Sequence, residues 1–252
     1  MKYLIYFYFS LLLFACTSSE NSREIQFLQL SDLIVDTLYL EKDTLTKNLG
    51  INFTHFQTDS GEVLLTFNQY RLLTYSFPEG KLLNSVKFEK EGPDGIGGFV
   101  TGDFIEKNSI FFLSQQKELI QASLEGKVMK RWEFPEVPEG RLYHNYGTYL
   151  FNKIQKSGEK LFFMDVPYVF KEELFDYDKW GITFDLEKEQ FDYFHFSYPK
   201  EILNFLEDDQ LGLFSHVYNE WTDEHLVSFS ISDSLLKIKD QKQTWHPAGT
   251  LE

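Results

Sequence analysis

The sequence predicts an all-β protein of the β-propeller type, built from repeated antiparallel meanders. Three observations predict it: apolar and polar residues alternate over short runs, helical periodicity is nearly absent, and one block of three strands returns 46 residues further on. A strand buries one face and so alternates with a period of two, whereas a surface helix repeats every three to four residues.

Residues 3–15 are apolar except for Ser10 and follow Lys2. A membrane-spanning helix needs about 20 apolar residues, so this shorter run fits the core of a signal peptide. It ends in Leu13-Phe14-Ala15-Cys16, before a polar stretch from Thr17 to Ser22. A small residue before the chain's only cysteine resembles the lipobox of bacterial lipoproteins, in which that cysteine takes a diacylglyceryl thioether and becomes the mature N-terminus. Several acyl chains, palmitate among them, anchor stably because each buried methylene contributes about 0.8 kcal/mol. The expected organisation is a signal peptide over 1–15, a lipidated tether over 16–24 and a propeller-like domain over 25–252. Thr17 is not the aspartate of an inner-membrane retention signal, which favours the outer membrane. Both periplasm-facing and surface-facing placements fit.

Past the tether, Asp32–Leu40 alternates as a strand. Residues 63–67, 71–77 and 81–88, with the turn Pro78-Glu79-Gly80, form a first meander. Residues 109–113, 118–122 and 127–134, with the turn Leu124-Glu125-Gly126, form a second that superposes on the first without a gap. Glu79, Gly80, Lys81 and Phe88 recur as Glu125, Gly126, Lys127 and Phe134. A repeat of this length with about four strands per unit is the signature of a propeller blade. A third unit comprises 160–164, an insertion over 167–180, then 181–185 and 191–196. A fourth comprises 225–230 and 234–239 and runs into the tail 245–249, where it is expected to stop before its outer strand is complete. About four blades are recognisable. A ring must close to cover its edge strands, so the count implies a small ring, an incomplete propeller or completion by a partner, with truncation favoured. A β-sandwich or open barrel accounts for the strands but not for the 46-residue register.

Composition excludes several classes. The 252 residues include 42% hydrophobic and 17% aromatic side chains, ample for a packed core. The 24 basic and 39 acidic side chains leave a net charge of −15, which argues against nucleic-acid partners or an anionic membrane surface, since both need a concentrated basic face. Removing residues 1–15 takes away only Lys2, leaving −16 on the exported part. One cysteine makes neither an internal disulfide nor a thiolate zinc site.

The lipobox at Cys16, the 46-residue repeat and the segment Phe88-Glu-Lys-Glu-Gly-Pro-Asp-Gly-Ile-Gly97 together resemble a family of Bacteroidota lipoproteins with a domain of unknown function, related to six-bladed TolB-like propellers. In that family a Glu-Gly-Pro-x-Gly element, here Glu91 to Gly95, recurs between an outer strand and the next blade. This chain is shorter than the family. The resemblance implies a propeller and transfers no catalytic residue.

Candidate chemistry is sparse. Gly92-Pro93-Asp94-Gly95-Ile96-Gly97-Gly98 lacks the lysine and helix of a phosphate-binding loop, so its glycines read first as a tight crossover between blades and second as a ligand loop. Six histidines show no ligand spacing, and His195 reads as a strand residue among aromatics. Asp176, Asp178 and Asp185 lack the EF-hand pattern. Tyr143, Tyr146, Tyr149, Tyr168, Tyr177, Trp180 and Trp221 fall in loops or insertions, where they would stack on sugars, grip a protein or pack between blades. The binding candidates are Gly92, Pro93, Asp94, Gly95, Tyr146 and Trp180, with Cys16 as the lipidation site. No catalytic residue, metal or cofactor is expected. The expected function is a non-catalytic platform for a protein or glycan ligand, held to the membrane through Cys16. The alternatives are a glycan or lactone hydrolase with acidic residues at the ring axis and a truncated remnant without function.

Overall fold

The computed structural model describes residues 34, 36–46, 48–115, 117–136, 152–164, 177–201 and 214–248. The residues from Tyr39 onward form one unit. Cys16 lies outside the described residues.

Sixteen strands make four antiparallel four-stranded sheets, each ordered as in the chain. The first sheet holds β1 (Thr54–Thr58), β2 (Gly61–Asn68), β3 (Arg71–Phe77) and β4 (Leu82–Lys87). The second holds β5 (Val100–Ile105), β6 (Ser109–Ser114), β7 (Glu118–Ser123) and β8 (Val128–Glu133). The third holds β9 (Gln155–Ser157), β10 (Lys160–Met164), β11 (Gly181–Asp185) and β12 (Gln190–Phe194). The fourth holds β13 (Phe214–Asn219), β14 (Glu224–Phe229), β15 (Ser234–Lys239) and β16 (Lys242–Pro247).

Each sheet packs its face on the next. Leu65, Leu72, Phe88, Ile110 and Phe112 fill the first junction. The Phe67, Phe88 and Phe112 rings meet there at centroid distances of 4.8 to 5.6 Å, within the range of favourable aromatic pairs. Phe111, Leu113, Leu161, Phe163 and Phe184 fill the second junction, and Trp180, Phe196, Phe214, Val227 and Phe229 the third. Both faces of the second sheet are therefore covered, which is why β6 is buried at every position and reads as a continuous apolar run rather than an alternating one. Among the described residues no core joins the fourth sheet to the first, and the ring is open.

The free face of the first sheet is covered by the chain's own arm, residues 39–46 and 48–52. Glu41 N donates to Gly80 O at 2.8 Å, and Leu82 N donates to Glu41 Oε2 at 3.1 Å. Further along, Asn68 Nδ2 donates to Asn48 O and Thr66 Oγ1 donates to Asn52 O, both at 2.7 Å. Beneath the arm Thr66, Leu73 and Tyr75, which share one face by register, are fully buried. Burial, then the charges of Asp43 and Glu41, push the Tyr75 phenol above its ordinary value.

The structure corrects four expectations. First, residues 36–40 of the expected strand Asp32–Leu40 are irregular. Second, the fourth sheet has its outer strand. β16 pairs with β15 from Lys239↔Lys242 to Ser234↔Pro247 and turns through Asp240 and Gln241, both at positive φ. It is exposed along its whole length, so no apolar alternation marks it. Third, each sheet begins with an inner strand, and β1, β5, β9 and β13 were not anticipated. Fourth, the 46-residue superposition contains two compensating changes. Leu73 pairs with Ser85 and Ile120 with Arg131, so β7 follows β3 by 47 residues while β8 follows β4 by 46. The β6–β7 hairpin is one residue longer than β2–β3, and the following loop is one residue shorter.

Gly50 lies where the arm is tightest. A Cβ there would sit 2.3 Å from Thr66 Oγ1 and 2.8 Å from Phe67 O. Gly50→Ala should lower stability by about 1–3 kcal/mol, as overpacking does. The check is the denaturant midpoint at unchanged slope; an unmoved midpoint would show that the arm does not press on β2.

Candidate functional site

The crossover from β4 to β5 contains four of the nominated residues. Gly92 adopts φ 88° and Gly97 φ 95°, the left-handed region that favours glycine. Gly95 bridges Glu89 in parallel register, and a Cβ on it would lie 2.6 Å from the Glu91 backbone. Ile96, fully buried, plugs the first junction. The polar groups of this loop are tied to the outer strand of the second sheet. Asp94 accepts from Lys127 Nζ at 2.8 Å and from Val128 N at 3.1 Å, and these bonds hold its carboxyl below the usual range. The Arg131 guanidinium donates to Pro93 O at 3.4 Å and to Gly95 O. Gly92, Pro93, Asp94 and Gly95 thus come together as a clasp between adjacent blades.

The aromatic candidates separate. Trp180 is fully buried in the third junction and donates its indole N–H to Tyr177 O at 3.0 Å, so its ring packs blades and offers no free face to a ligand. Tyr177 is buried beside it, whereas Trp221 stands 89% exposed at the tip of the β13–β14 hairpin. Tyr143, Tyr146, Tyr149, Tyr168 and Asp176 lie outside the described residues. His195 follows β12 and is half exposed; it keeps an edge contact with the strand residue Tyr193, at a centroid distance of 6.4 Å, while its Nδ1 lies 2.9 Å from Asp178 Oδ2. Asp185 caps its own turn, accepting from the Glu187 and Lys188 amides.

A site that sequence reasoning missed lies between the first and second sheets. Segments 49–52, 67–70 and 99–103 line a cavity of about 440 Å³. Its rim is apolar and exposed, with Ile51 at 69% and Phe99 at 58%. Two polar groups of the lining stand out, Asn52 and Asp103. Asn52 Oδ1 is wholly buried and unpaired. Asp103, on the inner strand β5, is pushed up to about 6 by burial, which the charge of Lys153 only partly offsets. An apolar cavity with a few convergent polar groups and a perturbed acid is the usual form of a ligand site. A larger recess of about 690 Å³ shares Gln69 and Tyr70 with it, but its cations are engaged: Lys87 with Glu89, Arg71 with Ser85, and Lys90 over the Tyr70 ring. The signal for Asp103 was a lone acid set in Val-Thr-Gly-Asp-Phe-Ile, legible only once that run is read as a strand.

A second polar cluster joins the third and fourth sheets. Gln155 Oε1 accepts from Tyr218 N, which fixes the amide so that Nε2 donates to His216 O at 2.9 Å and to His216 Nδ1 at 3.1 Å. His216 therefore carries its proton on Nε2 and donates to His225 Nδ1 at 2.9 Å. Phe162, Phe194 and Tyr218 surround the His225 ring at 4.5 to 4.9 Å. Phe194 reaches this place beside Gly181, where a Cβ would come within 3.0 Å of both Phe194 Cβ and Met164. Burial holds His216 down at about 3 and His225 at about 4. The two histidines are nine residues apart and meet diagonally across one hairpin, a signal available only when β13 is recognised.

The scaffold is an open β-propeller of four-stranded blades with a ligand-type cleft between its first two. The chain belongs to the DUF4221 family, a domain of unknown function, whose sequence profile matches residues 25–247. Its backbone is similar to the crystal structure of a DUF4221 member from Bacteroides vulgatus ATCC 8482, with a TM-score of 0.65 at 19% identity. That match covers 85% of this chain and 64% of the relative, so the chain spans under two thirds of the relative's length. A Bacteroides fragilis NCTC 9343 protein named as an exported protein matches at 12% identity and TM-score 0.47, covering 83% of this chain and 53% of that one. The Cps50 (Swd1) β-propeller domain of Myceliophteria thermophila matches at 11% and 0.43, covering 80% and 58%. No curated protein matches the sequence. At 19% identity the likeness to the Bacteroides vulgatus protein is one of fold.

The histidine pair generates a stability prediction. In the unfolded chain each takes a proton near pH 6.5, whereas in the fold neither does so until about pH 4 or 3. Their contribution is full above the unfolded value and is lost as pH falls from there toward 4. Asp103 acts in the opposite sense, contributing below its unfolded value and losing that contribution as pH rises toward 6. The readout is therefore the difference between wild type and the H216Q/H225Q variant. Unfolding free energies across this range should fall more steeply for wild type on acidification; parallel profiles would show that the pair does not titrate on unfolding.

Proposed function

We propose that this protein is a cell-envelope binding platform, tethered to the outer membrane through lipid on Cys16, that takes its ligand in the cleft between the first two sheets. One observation carries the binding reading. The cleft combines a buried, unpaired acceptor, Asn52 Oδ1, and a buried acid, Asp103, with an exposed apolar rim at Ile51 and Phe99. Leaving a buried acceptor unpaired costs about 1–3 kcal/mol. A ligand that pairs it recovers that cost, and the rim supplies the area it would cover. The strands around the cleft are set by two backbone ladders and the aromatic core beneath, so the site is held on a rigid frame. The tether rests on the position and uniqueness of Cys16.

A second reading draws on Asp103. A carboxyl that keeps its proton up to about pH 6 on an inner strand has the property of a general acid, as a glycan or lactone hydrolase requires. The two readings separate with Asp103→Asn: a platform loses binding only, whereas an enzyme loses turnover of a substrate the wild type consumes.

Two experiments test the proposal. Cys16→Ser should move the protein from the membrane fraction to the soluble fraction, and continued sedimentation with membranes would refute the tether. For the cleft, a fragment set of neutral, cationic and glycan compounds is screened by ligand-observed NMR against full-length protein in detergent. Bound fragments should lose binding in Phe99→Ser, which removes the exposed rim ring without adding a charge and leaves the core intact. Equal binding by both proteins would place the ligand elsewhere.

A further inference from the structure

We infer that the ligand of this cleft is an organic ammonium ion, a primary amine carried on an apolar or aromatic body. The inference rests on the reading of the cleft as the ligand site and names the chemistry that site selects. The polar groups of its lining that stand out, the unpaired Asn52 Oδ1 and the Asp103 carboxylate, are acceptors. An ammonium group has three donors and no acceptor, and so matches both without leaving a lone pair opposed to a lone pair. A carboxylate or phosphate ligand would face Asp103 with like charge. A neutral alcohol brings a single donor and leaves one acceptor unmet.

The walls fit the same ligand. Phe67, Tyr70 and Phe99 line the cavity, and aromatic faces attract a cation within about 6 Å of the ring. Lys90 already covers the Tyr70 ring, 4.6 Å from its centroid, which leaves the exposed Phe99 as the aromatic face open to a ligand. Ile51 and Phe99 present the apolar surface on which the ligand's body would rest. The net charge of −15 adds a field that draws cations and repels anions. Among the described residues, Lys153 is the charged group that acts on Asp103, and Tyr70 is the other titratable side chain of the lining. A bound ammonium would give Asp103 the close partner that Lys153 does not provide and would bring its raised pKa back down. Binding then releases protons near pH 6.

The experiment is a calorimetric titration of full-length protein in detergent with 2-phenylethylammonium and with its neutral counterpart 2-phenylethanol, at about pH 7.5 and about pH 5. The ammonium should bind more tightly than the alcohol at the higher pH. It should weaken about tenfold at the lower pH, where a carboxyl with a pKa of about 6 is roughly one-tenth ionised. Asp103→Asn should cost about ten- to a hundredfold in ammonium affinity, the range for a hydrogen bond to a charged group, and should remove the pH dependence. Its retained binding of the alcohol shows that the variant is folded. Asn52→Leu should also weaken the ammonium while leaving the pH dependence in place. If the alcohol binds as tightly as the ammonium, or Asp103→Asn binds the ammonium normally, the ammonium assignment fails and the cleft stands. If neither probe binds, or both bind Phe99→Ser unchanged, the cleft itself is not the ligand site and both readings fall.

Discussion

Among the described residues no backbone ladder joins one sheet to the next, and the rest of the structure depends on that constraint. Within a blade, main-chain hydrogen bonds set the geometry; between blades, side chains must do everything. The result is an aromatic mortar. Phe67, Phe88 and Phe112 at the first junction, Trp132 with Phe184 at the second, and Trp180, Phe196 and Phe229 at the third supply large buried areas in edge-on or tilted contact. The unusual aromatic content of the chain is the compositional trace of this. At the third junction, amides supplement the apolar contact. Asn152 Nδ2 donates to Phe214 O while its Oδ1 accepts from His216 N, and Gln155 does the same one step along. Two side-chain amides thus stand in for a missing strand pair between β9 and β13.

The same constraint explains what could be read in the sequence. A strand with one face in a junction alternates, as β3 does, and a strand with both faces covered runs apolar throughout, as β6 and β10 do; all three were legible. The inner strands carry polar residues, interleaved with apolar ones in Thr54–Thr58 and alone in Gln155–Ser157, and where β9 meets β13 the polar groups of Gln155 and His216 satisfy one another, a composition that looks like loop. β16 escaped for the opposite reason, since it meets solvent at every position and carries no pattern at all. The crossover at Gly92–Gly95 was legible as a turn because its glycines are required by the backbone. The cleft was not, because Asn52, Phe67, Phe99 and Asp103 come from segments that only the stacking of two sheets brings together.

Polar side chains divide into two populations along these lines. Asp94, Lys127 and Arg131 are consumed in fastening a crossover to the next blade, and Glu189 likewise fastens Lys130 and Trp132 across the second junction. Their charges are partly exposed and their carboxyls are held low by the donors around them. Asp103 and Asn52 differ: among the described residues Asn52 Oδ1 is buried without a partner, and Asp103 is set back from solvent with its carboxyl pushed up by burial, which the charge of Lys153 only partly offsets. The contrast between acids held low by donors and an acid pushed up by burial, more than the count of acids, marks where this surface has an unfilled requirement.

The compensating insertion and deletion on either side of β7 bear on how such a repeat diverges. A single added residue in the β6–β7 hairpin would slide the strand by one position and turn its apolar face outward, because side chains alternate. The loss of one residue in the next loop confines the slip to β7, and the strand's own sequence has followed the shift. Leu72, Leu73 and Tyr75 find their buried counterparts in Leu119, Ile120 and Ala122, while the outer strands keep the original spacing. Copies of a blade can therefore exchange length between neighbouring loops without disturbing the junctions. Grafting a strand from one blade into another would succeed only when the pairing partner, rather than the position in the aligned text, decides where it is cut.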